Sequence, residues 1–407
     1  MKKLKIKFKK LIENTIELNS SKSESNRLLI IKAISKKKII INNLSNANDT
    51  IILKNLIVNN SKKIWDAEDA GTTMRFLTSY LALVKEDVII TGTIRMKKRP
   101  IKILVDALNK IGSKIYYTDE IGYPPLKIDK KINQKNNTIS IRGDISSQYI
   151  SSLLMIGPKL KNGLNIIIEE PFYSEPYVLM TLNLMKKFGI SSLINGNKII
   201  INNQEYRDGS YTVEADWSAA SYWYAIVSIN KNINKIKLKG LRKNSFQGDS
   251  VLSTMMVSFG VDTEFLEDGI IIKKNNNIKN YLKIDFKNFP DLTQSILVVA
   301  AYHKIKLEIS GVESLKIKET DRLSAMKKEL EKIGCNFYNK KESWILEKRV
   351  NSFPKLVVID TYKDHRMAMA FVCISSEMEM YIKEPSVVNK SYPNFWNDLA
   401  KVGYEIT

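Results

Sequence analysis

Five times along this 407-residue chain an amphipathic helical stretch ends in an apolar residue and Gly, and a short alternating strand follows. The copies are LVDALNKIGSKIYY, LNLMKKFGISSLI, VLSTMMVSFGVDTEF, MKKELEKIGCNFY and WNDLAKVGYEIT. Their glycines (Gly112, Gly189, Gly260, Gly334 and Gly403) are spaced by 77, 71, 74 and 69 residues. Gly lets a helix stop in a left-handed conformation without a Cβ clash, so each copy predicts a helix end. A sixth, weaker copy without the Gly lies at DTIILKNLIVNN. These periods are too long for a solenoid. Six units, three on each side of residue 215, predict a mixed α/β protein of two similar lobes.

A second pattern interleaves with the first. Small or polar residues lead straight into apolar helices in SKSESNRLLIIKAI, AGTTMRFLTSYLAL, SSQYISSLLMI, SEPYVLMTLNLM, EADWSAASYWYAI, PDLTQSILVVAAY, KETDRLSAM and KDHRMAMAFV. Ser, Thr and Asp at such places serve as helix caps. Several of these starts also carry Arg or Lys in the first turn, where the helix dipole disfavours a cation. A cation makes sense there if an anion sits on the helix end.

Composition narrows the classes. Hydrophobic residues make up 44% and charged residues 26%, an ordinary globular balance. The formal charge of +21, from 64 Lys+Arg against 43 Asp+Glu, suggests anionic ligands. Much of that excess follows from a chain crowded with Lys, Asn and Ile, whose codons are A/T-rich, as in KKNNNIKN. Two cysteines, Cys335 and Cys373, make no disulfide framework, and with only His303 and His365 beside them no Cys/His metal cluster is expected. The start MKKLKIKFKK has no apolar h-region, and its alternation of Leu4, Ile6 and Phe8 with lysines reads as a strand. No stretch reaches the ~20 apolar residues of a membrane span, so a cytoplasmic protein is expected.

Seven motifs follow in order: KSESNR at 22–27, AGTTMRFL at 70–77, RMKKRP at 95–100, SSQ at 146–148, KETDRL at 318–323, DHRMAMAF at 364–371 and NKSYPNFW at 389–396. Together they resemble the 5-enolpyruvylshikimate-3-phosphate synthase family of enolpyruvyl transferases. The resemblance implies two lobes, each of three βαβαββ repeats, in an inside-out α/β barrel arrangement. Residues 20–215 would form the lobe on the shikimate 3-phosphate side. Residues 1–19 and 216–407 would form the phosphoenolpyruvate and catalytic side. The implied reaction moves the enolpyruvyl group of phosphoenolpyruvate to the 5-hydroxyl of shikimate 3-phosphate and releases phosphate, by addition and then elimination. It serves chorismate and aromatic amino-acid biosynthesis and needs no cofactor.

The same resemblance assigns residues. Ser23, Arg27 and Lys318 would reach shikimate 3-phosphate, with Ser146, Ser147 and Ser174 around its phosphate and Gln148 and Tyr177 near the ring. Hydroxyls suit a phosphate because each donates without adding charge. Lys22, Arg95, Arg322, Arg366 and Lys390 would hold phosphoenolpyruvate, beside the Gly71–Thr72 backbone, with Gly71 allowing close approach, and Arg75 would also bind substrate. Arg suits that task because its fork binds carboxylate and phosphate bidentately. Asp291 would serve the 5-hydroxyl, Glu319 the methylene carbon, and Lys22 the bridging or leaving oxygen. Lys97 and Lys98 are expected to be solvated, Pro100 to start the next helix, and Asp321 to be a cap. Asp69, Phe76 and Ser314 depart from residues common in the family.

Two other readings compete. The related transferase acting on UDP-N-acetylglucosamine carries a reactive Cys in a loop of its first lobe, whereas both cysteines here fall in the second half. A basic nucleic-acid-binding protein is supported only by net charge, without a stripe of interleaved aromatic and basic residues. The expected partners are therefore two small anionic substrates, with no nucleic acid or membrane, and the expected state is a monomer.

Overall fold

The computed structural model describes residues 2–59, 61–348 and 352–407; Asn60, the last residue of the weak sixth copy, lies outside them. The chain divides into two compact units, Ser21–Val213 and Met1–Ser20 with Glu214–Thr407.

Within Ser21–Val213, strands Ile64–Asp66 and Val88–Thr91 pair in parallel across helix Gly71–Val84. Helix Lys102–Ile111 then leads into an antiparallel hairpin, Lys114–Tyr117 with Leu126–Lys130, whose second strand closes on Val88–Thr91. This is one complete βαβαββ repeat. Strands Thr138–Arg142, Leu164–Glu169, Leu193–Asn195 and Lys198–Ile201 build a second in the same order. The third sheet has two strands among the described residues, Ile39–Asn42 parallel to Gly209–Thr212. Its helix, Asn48–Val58, passes on to Ile64–Asp66 with no hairpin between. That explains the missing glycine of the sixth copy: the left-handed stop is needed where a helix reverses into a hairpin strand, and here none follows.

The other unit has three four-stranded sheets of the same plan. One joins Thr15–Glu17 to Lys235–Lys239 in parallel, so its repeat is interrupted by the whole of Ser21–Val213. Another is completed from the N-terminus: Lys3–Phe8 pairs antiparallel with Glu379–Lys383 and with Tyr404–Ile406. The buried Ile6 stands opposite Met380 and Ile406, as the alternation with lysine requires. All five repeat glycines have positive φ, from 76° to 129°. The third copy departs from a simple helix, with one turn at Leu252–Met255 between 3-10 turns Gly248–Val251 and Met256–Ser258. Ser253 and Thr254 donate their hydroxyls to Ser250 O and Val251 O, competing for the carbonyls a longer helix would use.

The first helix of each repeat is buried nearly all round: Lys22–Ile34, Gly71–Val84 and Ser147–Ile156 in one unit, Trp217–Ile229, Thr293–Tyr302 and His365–Ala370 in the other. A helix apolar on every face belongs in a core. The sheets therefore cover the helices, the reverse of the usual order, and the helix starts are where the polar motifs fall. Among the described residues no helix is long and apolar enough to cross a membrane.

Candidate active site

Each unit gathers its own polar cluster. In Ser21–Val213 the helix Lys22–Ile34 is capped by Ser21, whose hydroxyl accepts from Glu24 N at 3.3 Å, which leaves Ser23 uncommitted to capping. Lys22, 15% exposed, pairs with the buried Asp49 at 3.3 Å. Arg27 is buried: Nε donates to Thr181 Oγ1 at 2.6 Å, and the two NH groups donate to Ser23 O, Ser151 Oγ and Tyr177 O. Burial lowers its pKa to about 10, so it stays charged at neutral pH. Arg27 thus ties the backbones of Ser23 and Tyr177 together.

The second and third helix starts share one network. Arg75 NH1 donates to Gly71 O at 3.1 Å and to Gln148 Oε1 at 2.9 Å, and Gln148 Nε2 donates to Thr72 Oγ1 at 3.0 Å. The Arg75 guanidinium also lies over the Tyr149 ring. A Cβ on Gly71 would stand 2.4 Å from Arg99 NH1 and 2.8 Å from Arg75 NH1. The room left by the missing side chain is thus taken by two guanidinium groups. Ser146 caps helix Ser147–Ile156 by accepting from Gln148 N at 3.3 Å. Ser174 precedes helix Glu175–Lys187 in the left-handed region, φ 59°, and its side chain makes no capping bond. A non-Gly residue there costs of order 1–3 kcal/mol and is retained where the surroundings impose it. Tyr177 N donates to Ser174 O at 3.1 Å.

In RMKKRP, Arg95 opens a single 3-10 turn, Met96–Lys98, and is half-buried. Lys98 is exposed, while Lys97 pairs loosely with Asp119 at 3.6 Å. Pro100 lies two residues ahead of helix Lys102–Ile111 instead of starting it. Asp69 accepts from the Thr93 hydroxyl, which ties the stretch before Gly71 to the RMKKRP loop.

The second unit holds the acidic groups. Asp291 lies in the 3-10 turn Pro290–Leu292, just before helix Thr293–Tyr302. Its Oδ1 accepts from Arg322 NH1 at 3.0 Å and its Oδ2 from Arg366 NH2 at 2.7 Å. Arg322 also donates through NH2 to Glu319 Oε2 and through Nε to Asp364 Oδ2, each at 2.8 Å. Lys390 Nζ stands 3.8 Å from Glu319 Oε1. Burial raises the Asp291 pKa, but Arg366, Arg322 and Lys318 outweigh it and hold the carboxylate well below its usual range. Asp364 caps helix His365–Ala370 by accepting from Arg366 N at 2.9 Å, and Asp321 caps Arg322–Lys332. Lys318 and Lys390 do not sit at helix starts: each follows or ends a 3-10 turn.

Four residues of these clusters escape the sequence reading as site groups: Asp49, Asp249, Asp364 and Tyr222. Asp364 falls at a helix start, where a cap is the sufficient explanation, and Asp49 lies in the first turn of helix Asn48–Val58, which no side chain caps. Tyr222 OH accepts from Arg366 NH1 at 3.4 Å, a contact made across 144 residues. Asp249 is buried beside Ser218, and only tertiary packing brings it into the field of Asp291. Among the described residues no group of three or more His, Cys, Asp or Glu is placed to hold a metal ion.

The comparisons with known proteins meet this geometry. The family profile of EPSP synthase (3-phosphoshikimate 1-carboxyvinyltransferase) matches residues 52–399. A 3-phosphoshikimate 1-carboxyvinyltransferase of Bacteroides fragilis (strain YCH46) is 45% identical over 400 residues, covering 97% of this chain and 96% of that protein. One of Buchnera aphidicola subsp. Cinara cedri is 35% identical over 422 residues, covering 96% and 95%. The EPSP synthase structure from Acinetobacter baumannii shares the fold, with a TM-score of 0.78 at 19% identity over all of both chains. Repeat plan, polar helix starts and full-length similarity agree, and the chain belongs to the EPSP synthase (3-phosphoshikimate 1-carboxyvinyltransferase) family.

Proposed function

We propose that this chain carries out the reaction of its family, moving the enolpyruvyl group of phosphoenolpyruvate to the 5-hydroxyl of shikimate 3-phosphate with release of phosphate, and that the two clusters divide the work. Ser23, Arg27, Ser146, Ser147, Ser174, Gln148, Tyr177 and Lys318 bind shikimate 3-phosphate. Lys22, Arg75, Arg95, Arg322, Arg366 and Lys390, with Gly71 and Thr72, bind phosphoenolpyruvate. Asp291 takes the 5-hydroxyl proton, Glu319 delivers a proton to the methylene carbon, and Lys22 assists at the bridging oxygen.

The observation that carries this reading is the ion network in which Arg322 and Arg366 share Asp291, and Arg322 also holds Glu319. Two carboxylates of unlike surroundings beside two guanidiniums are what acid–base chemistry on an anionic substrate requires. Substrate phosphate and carboxylate groups would compete with Asp291 for Arg322 and Arg366, and this frees the Asp291 carboxylate to accept a proton. The ordinary value of a freed Asp lies closer to the working pH, which suits a base better. The chain acts as a monomer in the cytoplasm in this reading, because one chain carries every assigned group and both cysteines are buried. The test is phosphate release with both substrates present. Release that requires both supports the assignment, and no release from folded protein sinks it.

A further inference from the structure

Helix Arg322–Lys332 carries a fully buried carboxylate, Glu329, two turns beyond Arg322. Glu329 Oε2 accepts from Lys332 Nζ at 2.6 Å and from Asp360 N at 3.1 Å, and Oε1 accepts from Tyr362 OH at 2.6 Å. The segment it grips is tight. Tyr362 and Lys363 both have left-handed backbone, φ 52° and 57°, and Asp364 N donates to Thr361 O at 2.8 Å. Asp364 and Arg366 follow at once.

The arrangement recurs in the last repeat. Asp398, 4% exposed on helix Phe395–Val402, accepts from Lys401 Nζ at 2.9 Å and from Tyr392 OH at 2.9 Å. Tyr392 is fully buried, lies two residues after Lys390, and its N donates to Val388 O at 2.8 Å. Glu329 and Asp398 occupy the same position of the repeat, five residues before Gly334 and Gly403. The other three copies place Ala107, Leu184 and Met255 there. The buried carboxylate thus occurs in two successive copies, and the tyrosine that each meets lies in the last repeat, Tyr362 33 residues on and Tyr392 six residues back, beside Arg366 and Lys390.

We infer that Glu329 with Tyr362, and Asp398 with Tyr392, are positioning clamps: each buried carboxylate fixes, through a tyrosine hydroxyl, the short segment that presents an anion-binding cation. The ligand those cations take is phosphoenolpyruvate, so the inference rests on the function proposed above. None of the four residues is a catalytic residue; each acts through Arg366 or Lys390. Burial, reinforced by the adjoining carboxylate, pushes both phenols above their ordinary range, so they remain donors across the working pH.

Tyr362→Phe and Tyr392→Phe test this directly, each keeping the ring and removing one hydrogen bond. The KM for phosphoenolpyruvate should rise roughly three- to tenfold, the size of one such bond, while that for shikimate 3-phosphate stays nearly constant. Tyr206→Phe is the control, since its buried hydroxyl donates to Met155 O at 2.9 Å within the other unit. It should lower the melting temperature and leave both KM values alone. A fall in melting temperature with an unmoved phosphoenolpyruvate KM in the two clamp variants, or equal rises in both KM values, overturns the inference. Arg366→Lys is measured alongside. If it leaves the phosphoenolpyruvate KM unchanged, the reading of the site has failed and the clamps fall with it; if it raises that KM and the clamp variants do not, the clamps alone are wrong. Tyr362 is only half-buried, so Tyr362→Phe carries the test should Tyr392→Phe not fold.

Discussion

Arg366 donates to Asp291 Oδ2 at 2.7 Å, and Asp291 is held from its other oxygen by Arg322 at 3.0 Å. Arg366 sits in the first turn of the buried helix His365–Ala370 and Asp291 in the 3-10 turn just before the buried helix Thr293–Tyr302, so neither partner has much freedom to move away. The carboxylate pKa is depressed in the folded chain, against an unfolded Asp near 3.9. A depressed acid adds stability that is complete above the unfolded value and is lost as the pH falls through the folded one. Asp291→Asn should therefore lower the melting temperature at neutral pH, with the gap to the parent closing below about pH 4. Thermal unfolding followed by circular dichroism from neutral to acid pH checks this, and a gap of constant size would mean the ion pair adds nothing.

Glu319→Gln keeps the size and polarity of a side chain that accepts from Arg322 at 2.8 Å, and removes its proton. Turnover should drop by roughly 10²–10⁴-fold with both substrates still bound, the usual worth of general acid–base help. Isothermal titration with each substrate, beside steady-state rates, separates the two effects. Turnover within a few-fold of the parent would make Glu319 an orienting partner of Arg322, leaving the chemistry to Asp291 and Lys22.

Arg95→Ala should weaken phosphoenolpyruvate by roughly 1.5–3 kcal/mol, the value of a charged hydrogen bond, and shikimate 3-phosphate far less. Lys97→Ala is the internal comparison. Lys97 is 39% exposed and 3.6 Å from an exposed Asp119, so its loss should be nearly silent. Equal effects from the two, in KM or in salt dependence, would show the run acting as a diffuse basic patch.

The repeat was legible because Gly states its own requirement: five left-handed helix stops are local facts, and all five glycines have positive φ. Where the local rule was diluted, reading failed. Ser253 and Thr254 break a helix that periodicity alone continued, and the sixth copy lost its hairpin along with its Gly. At the helix starts, composition showed that a cap was wanted but not which residue supplied it. Ser21 caps where Ser23 also stands, and Ser174 caps nothing. The ion network was least legible. Asp364 reads as a cap from its neighbours and proves also to hold Arg322, 42 residues away. Such double use depends on which helix starts lie side by side, and short-range sequence pattern carries no record of that.

The opposite case to Asp291 is its neighbour in the same field. Asp249 is 2% exposed in the 3-10 turn Gly248–Val251, where it accepts from the Ser218 hydroxyl. Burial, and then the charge of Asp291, raise its pKa to about 7; Ser218 and Arg366 pull it down, and Asp216 adds to the rise. An acid raised in the folded state binds its proton more tightly there than in the unfolded chain. Its contribution to stability therefore falls as the pH climbs from about 4 towards 7, and stays low above that. His303 works the other way over the same window. Burial, aided by Lys274, lowers its pKa to about 4, so its stabilisation is lost as the pH falls from about 6.5. The parent profile mixes the two, but His303 is common to parent and variant and cancels in their difference. Asp249→Asn is neutral at every pH, so its stability relative to the parent should improve from pH 5 to about pH 7 and level off by pH 8. Urea unfolding at four values in that range measures the difference. A difference independent of pH would mean that Asp249 is ionised throughout, and that Ser218 and Arg366 prevail over burial and Asp291.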